Sequence, residues 1–350
     1  MILVLSMAAV MWGIGWAMGA PRQARAIMVA LLLVAVLAAH TILPDGHPLR
    51  QATGGDARLW LLLLGFGAIG WAYARWLRGL KARVAPTATE APRGDTMSPT
   101  ELDRYARHIV LREIGGPGQM ALRRARVLVV GAGGLGAPAL QYLAAAGVGT
   151  IGVIDDDAVE NANLQRQVIH TDARIGMPKA HSAAEAMRAQ NPFVTVRPYH
   201  RRLTDEIAAA LFADYDLVLD GSDNFATRYL VNATCVALGK PLVAAALTQW
   251  EGQIGLYHPA GGGPCYRCLF PQEPDRALVP SCAEAGVVGP LPGVVGAMMA
   301  VEALKALTGA GETLRGRLMI YDALYAETRV VTAKPRPDCP DCHGQGLNAA

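Results

Sequence analysis

"ARVLVVGAGGLG", Ala125 to Gly136, is an apolar run that stops at a cluster of glycines. Arg126–Val130 is short, β-rich and without alternation, which predicts a strand buried on both faces of a parallel sheet. Gly131, Gly133 and Gly136 fit G-x-G-x-x-G, and "APALQYLAAAG" continues as a helix. Glycines let the backbone turn tightly and approach an anion, while a helix N-terminus offers free N–H groups and a positive dipole end. The loop therefore predicts a phosphate site. By itself it does not choose between NAD, FAD and ATP, and a tight βα turn with no ligand fits it too.

The sequence around the loop narrows the choice. Strand-like runs Thr150–Asp155, Asp216–Asp220, Pro241–Ala245 and Gln253–Tyr257 alternate with Ala-rich helical stretches such as Lys179–Gln190. From Ser98 onward the chain thus reads as an α/β domain, a Rossmann-like, mostly parallel sheet with flanking helices. Asp155 closes the second strand where a carboxylate would hydrogen-bond a ribose hydroxyl, a group that NAD and ATP share. "ENANLQRQVIH" then supplies Asn163, Arg166 and Gln167, and Lys179 follows in "GMPKAHSA". Two cations with amide groups suit a triphosphate, whereas a dinucleotide's pyrophosphate is usually held by backbone alone. "LVLDGSDN" ends a further strand in Asp220, Asp223 and Asn224. That is where ligands bind in open α/β sheets, and such oxygens suit Mg²⁺. Singly, Arg166 reads equally as a surface ion pair, Lys179 as a solvated helix residue and Asp223 as a turn former.

The 350-residue chain has a formal charge of +3 and no basic stripe with interleaved aromatics, so nucleic acid is not an expected partner. Five tryptophans, Trp12, Trp16, Trp60, Trp71 and Trp76, lie in the first eighty residues. Met1–Ala20, Ala26–Leu43 and Leu59–Ala74 carry no charge. Each approaches the roughly 17–25 residues of a membrane-spanning helix. The first lacks the basic start of a cleaved signal peptide and is followed by two more apolar segments. Residues 1–78 are therefore expected to hold three transmembrane helices, at about 1–20, 26–43 and 59–77. Arg22 and Arg25 in the first connection, with Arg75, Arg78, Lys81 and Arg83 after the third segment, put both on the cytoplasmic side. The expectation is a multi-pass protein of the inner (cytoplasmic) membrane, with its catalytic domain in the cytoplasm. Pro/Ala/Thr-rich residues 79–98 read as a linker and 99–346 as the catalytic domain.

Cys265 and Cys268 form "CYRC", and Cys339 and Cys342 form "CPDC". Two CxxC pairs predict one tetrahedral, structural zinc that pins the tail to the sheet. Two local disulfides are the alternative, which a reducing cytoplasm opposes. His343 is a competing ligand. Cys282, in "PSCAEAG", follows a Pro- and charge-containing loop, and Cys235 lies in apolar "VNATCVALG" as a small buried residue.

"RYARHIVL", "GQMALRRARVLVVGAGGLGAPALQYLAAAGVG", "NLQRQVIH", "DLVLDGSDN", "EGQI", "CYRCLFP" and "SCAEAGVVGP" occur together in this order. In these motifs the chain, from about Thr100 to Gly344, resembles the MoeB/ThiF/HesA family, bacterial relatives of ubiquitin-activating enzymes. The resemblance implies a homodimer that uses ATP and Mg²⁺ to adenylate the C-terminal glycine carboxylate of a small ubiquitin-like sulfur carrier. It implies that Gly131, Gly133, Gly134, Gly136 and Asp155 hold the nucleotide together with Asn224. Asn163, Arg166, Gln167 and Lys179 would bind phosphates, and Asp223 the magnesium. Arg107 would be an arginine finger reaching into the second subunit's site. Cys282 stands where some members carry an acyl or sulfur link. The implied carrier is the molybdopterin-synthase small subunit (MoaD-like), with the thiamin carrier (ThiS-like) as the alternative. No rhodanese-like segment follows "CPDCHG", so the sulfur donor is expected to be a separate protein. His108, Ala162 and Met299 depart from the usual family residues without removing a charge. A membrane scaffold without turnover and an NAD-dependent oxidoreductase are the rival classes. The second leaves Arg166, Lys179 and Asp223 without a role.

Overall fold

The computed structural model describes residues 2–44, 46–54, part of 56–73, 96–273 and 285–343. Cys282, most of the expected 79–98 linker and much of the third apolar segment lie outside these residues. The chain divides into two compact units, residues 1–89 and 90–350.

In the first unit, helices Ile2–Ala17 and Arg22–Ile42 are followed by the short helix Pro48–Thr53. The 21 residues of the second helix span about 31 Å at 1.5 Å each. The first apolar segment forms a helix of only 16 residues. Val4, Val36 and Trp60 bury one another, and the Trp60 indole donates to the Thr53 carbonyl oxygen at 3.0 Å. Leu31, Val34, Trp16 and Ile42 remain exposed. Among the described residues, two helices are long and apolar enough to cross a membrane: Gln23–Ile42 and Pro290–Thr308, the latter a core helix of the second unit.

The second unit opens with a capping box. Ser98 Oγ accepts from the Glu101 amide and Glu101 returns a bond to the Ser98 amide, which starts helix Pro99–Ile109. Helix Gly115–Arg124 leads into β1, Arg126–Val130. The strands that follow are β2 (Thr150–Ile154), β3 (Thr195–Tyr199), β4 (Leu217–Asp220), β5 (Leu242–Leu247), β6 (Glu251–Tyr257), β7 (Arg317–Asp322) and β8 (Glu327–Thr332). They form one sheet in the order β3-β2-β1-β4-β5-β6-β7-β8. The first five strands are parallel and the last three antiparallel.

Strand β1 is central and its residues alternate between two cores. Val127 and Val129 pack with helices Gly136–Ala145, Lys179–Gln190 and Pro290–Thr308 on one face. Leu128 and Val130 pack with helices Asp205–Ala213 and Phe225–Ala237 on the other. A continuous apolar run is what a strand covered on both faces needs. From β1 the chain builds outward through β2 and β3, then returns to add β4 on the other side. The order reverses between β1 and β4, and the loops leaving those strands share one edge, the usual ligand crevice of open α/β sheets.

Candidate active site

The glycines have separate duties. Gly131 has φ +90°, and a Cβ there would stand 3.1 Å from the Gly221 carbonyl oxygen, so the loops after β1 and β4 touch. A Cβ on Gly136 would lie 1.9 Å from the Gly131 carbonyl oxygen, which makes that glycine the condition for the turn into helix Gly136–Ala145. At Gly133 the nearest atom to an added Cβ is Gln167 Nε2, 3.6 Å away, so the Gln167 amide lies over the loop. At Gly134 the neighbour is Pro292 Cβ, at 3.1 Å.

Asp155 fixes the loop from the β2 side. Its Oδ2 accepts from the Ala132 amide at 2.7 Å and its Oδ1 from the Asp157 amide at 2.9 Å. Burial pushes its carboxyl above the usual range, against the two amide bonds and nearby Lys179. Each carboxylate oxygen keeps a second lone pair, so a ribose hydroxyl still has an acceptor. His170 ties the same loop from below: one ring nitrogen bonds the Ala132 carbonyl oxygen at 2.9 Å and the other the Ser182 hydroxyl at 2.8 Å. Burial holds its pKa below 6.5. A neutral ring donates from Nε2 to the carbonyl and accepts at Nδ1 from serine.

Lys179 opens helix Lys179–Gln190 as a 6% exposed cation, with Nζ on Asp157 Oδ2 at 2.7 Å. Arg166 bonds the Ala162 carbonyl oxygen at 3.1 Å from a half-buried position. Asn163 is buried and its Oδ1 accepts from the Glu160 amide, closing a 3-10 turn. Asp223 is exposed beyond β4. Asn224 is the N-cap of helix Phe225–Ala237 and accepts from the Thr227 amide at 2.9 Å, a structural duty the sequence reading did not assign. Arg107 is exposed on the last turn of helix Pro99–Ile109.

Three buried polar atoms at this edge have no hydrogen-bond partner among the described residues: Gln167 Oε1, Asp220 Oδ2 and Ser222 Oγ. Gln167 covers the glycine loop, and Asp220 and Ser222 flank the Gly221 that touches it. Buried polar atoms are rarely left bare. Acceptors beside loop amides and the cations Lys179 and Arg166 fit a ligand with hydroxyls, phosphates and a bound cation, which is the composition of magnesium–ATP. The sequence reading missed Asp157, His170 and Ser222. Their roles come from contacts across the sheet edge, although His170 closes the quoted "NLQRQVIH".

The four cysteines meet. Cys265 and Cys339 sulfurs are 3.5 Å apart, Cys268 and Cys342 3.5 Å, and Cys265 and Cys268 3.7 Å. A tetrahedron with Zn–S bonds of ~2.3 Å has S···S edges of ~3.8 Å, so the set fits zinc. All four are buried, and the Arg336 amide donates to Cys268 Sγ. Hydrogen bonds from Cys265 and that amide hold the Cys268 thiol well below its ordinary pKa. Asp341, between the last two ligands, accepts from Asn232 Nδ2 at 2.6 Å and pairs with Arg267 at 3.1 Å. The knuckle is thereby fastened to helix Phe225–Ala237. Cys235 in that helix is buried, as its apolar context predicts.

The sequence profile of the ThiF family matches residues 105–341. The sulfur carrier protein adenylyltransferase of Thermus thermophilus is 54% identical over 246 residues, covering 69% of this chain and 91% of that protein. The SAMP-activating enzyme E1 of Haloferax volcanii is 50% identical over 254 residues, covering 73% of this chain and 93% of its own length. A crystal structure of E. coli MccB with MccA-N7isoASN superposes with a TM-score of 0.62 at 22% identity, over 72% of this chain and 77% of that one, a likeness of fold. The chain belongs to the ThiF family and is an adenylyltransferase of the MoeB/ThiF type.

Proposed function

We propose that the chain uses ATP to adenylate the C-terminal glycine carboxylate of a small ubiquitin-like sulfur-carrier protein, most closely a MoaD-like molybdopterin-synthase subunit. The observation that carries this is the grouping of bare buried acceptors, loop amides and two cations at the β1/β4 edge. The relatives named for sulfur carriers and for SAMP activation support the substrate class.

The carrier carboxylate is ionised at neutral pH and needs no general base. Its oxygen attacks the α-phosphorus, the bond to the bridging oxygen breaks, and pyrophosphate leaves. The obstacle is repulsion between anions and charge on the leaving group. Lys179, Arg166 and the loop amides are placed to neutralise that charge, and Asp155 to orient the ribose. Asp223 would hold the magnesium, which when bound supplies further positive charge at the phosphates. Zinc on the four cysteines would act structurally, since every ligand position is filled by protein.

In this reading the enzyme is a homodimer, with the exposed Arg107 completing the second subunit's site. Residues 1–78 anchor it in the inner membrane. The exposed apolar helices Ile2–Ala17 and Arg22–Ile42, followed by basic residues 75–83, support that placement. The test is ATP–pyrophosphate exchange by the full chain in detergent, with MoaD-like and ThiS-like carriers added separately. Exchange dependent on the MoaD-like carrier is expected. Dependence on the ThiS-like carrier alone moves the enzyme to thiamin biosynthesis, and exchange with neither overturns the reading.

A further inference from the structure

Arg228 has no part in the chemistry above, yet it is 6% exposed inside helix Phe225–Ala237. Burying a guanidinium is costly unless its N–H groups are satisfied. No carboxylate stands within ion-pair distance of it among the described residues. Two main-chain oxygens hold its ends instead, beside the Tyr266 side chain: Nη1 donates to the Ala245 carbonyl in β5 at 2.7 Å, and Nη2 donates to the Ser222 carbonyl.

Those two carbonyls lie at places that matter. Ser222 directly precedes Asp223 and carries one of the bare polar atoms of the site, while Ala245 lies in the strand next to β4. The Gly221 amide ties the start of the turn after β4 to β1 through the Val130 carbonyl at 2.9 Å. Three further bonds hold the turn after Gly221. The Ser222 amide donates to Asp220 Oδ1 at 2.9 Å, Asn224 caps the following helix, and Arg228 grips the Ser222 carbonyl from one turn inside that helix. The first two bonds close within the turn itself. The third ties Ser222 to β5. A planar fork can bridge two carbonyls at once, which a lysine ammonium on its flexible stem does poorly.

We propose that Arg228 is a positioning residue for adenylation: it ties the Ser222–Asp223 turn to β5 and so sets where the Asp223 carboxylate meets the metal–phosphate group. This rests on the reading of Asp223 as the magnesium-side carboxylate. Groups that orient a metal ligand typically change metal affinity or activity about 10–100-fold when lost.

The test compares wild type, Arg228→Lys and Arg228→Met as full chains in detergent, each checked for bound zinc and a cooperative melt. Calorimetry measures ATP affinity with and without magnesium. The expected result for Arg228→Lys is unchanged affinity for metal-free ATP, with the gain from magnesium cut about tenfold or more. Pyrophosphate exchange should need correspondingly more magnesium for half-maximal rate. A magnesium dependence equal to wild type in Arg228→Lys overturns the proposal. Calorimetry needs no carrier, so exchange absent in wild type strikes the proposed function while Arg228 is still judged. If neither variant folds, amide hydrogen exchange of wild type decides. Magnesium–ATP should slow exchange in 220–224 and 242–247 together relative to metal-free ATP, and slowing confined to 220–224 overturns the link.

Discussion

The cysteine knuckle and the glycine-loop edge lie in one unit and are built to opposite ends. The knuckle is closed. Its four sulfurs are buried and face one another, and the acidic residue between its last two ligands, Asp341, is occupied by Asn232 and Arg267. The loop edge is left open, with Gln167 Oε1, Asp220 Oδ2 and Ser222 Oγ buried and bare. A complete ligand set suits a structural ion, because nothing further can bind. An incomplete set around phosphate-seeking amides suits a site that a substrate completes. In the proposed function the difference separates a part that holds the fold from a part that works.

The strongest way to break that comparison is to remove charge from the open site. Asp223→Ala and Arg107→Ala should each lower carrier-dependent exchange, the latter by about 10³ or more, as arginine fingers do in phosphoryl transfer. ATP affinity in Arg107→Ala should stay within a few-fold of wild type by calorimetry. Mixing the two variants should restore activity if sites are shared between subunits, and failure to complement would place Arg107 in its own subunit's chemistry. Changing the closed site should act on stability instead. Cys339→Ser should release zinc and lower Tm by about 10 °C, consistent with a few kcal/mol in a unit of this size. A variant that loses zinc and exchange but keeps its Tm would contradict a structural role.

Within the loop, Gly136→Ala should destabilise by more than the ~1–3 kcal/mol of ordinary overpacking, because backbone rather than a side chain stands 1.9 Å from the added carbon. Gly133→Ala, with 3.6 Å of room, should shift stability by less than about 1 kcal/mol. Urea unfolding of both variants checks the pair. The smallest effect concerns pH. His170 is held neutral below 6.5 by burial, so as pH falls past 6.5 the unfolded chain takes up a proton before the folded chain does. Stability therefore drops on acidification through that window, down to the folded pKa. His170→Asn should flatten the part of that slope that is due to this ring, measured by urea unfolding between pH 5.5 and 7.5.

Much of this architecture is legible in the residues. Arg126–Val130 and Lys179–Gln190 are a strand and a helix with the bounds their apolar patterns imply, and the four CxxC cysteines converge as their spacing requires. Such features are local, written in periodicity or pair spacing. Strands β3, β7 and β8 were not anticipated. β3 contains Pro198, and β8 is exposed along its length, so neither shows an apolar run. Asn224, expected at the nucleotide, also caps helix Phe225–Ala237, a duty hidden in the sequence because a cap and a ligand draw on the same side-chain types. Asp157, His170 and Arg228 act through partners distant in sequence or through main-chain carbonyls, which no motif records. The glycine pattern, too, hides a division of labour. Gly136 serves packing and Gly133 leaves room above the loop.

The most direct test follows the label of ATP into the carrier. With wild-type enzyme, a MoaD-like carrier and ATP labelled at the α-phosphate, the label should appear on the carrier as an acyl-adenylate, while label at the γ-phosphate should leave entirely in pyrophosphate. Transfer of the γ-label to the carrier, or no transfer of either label by enzyme that binds ATP, would contradict adenylation at the glycine-loop edge.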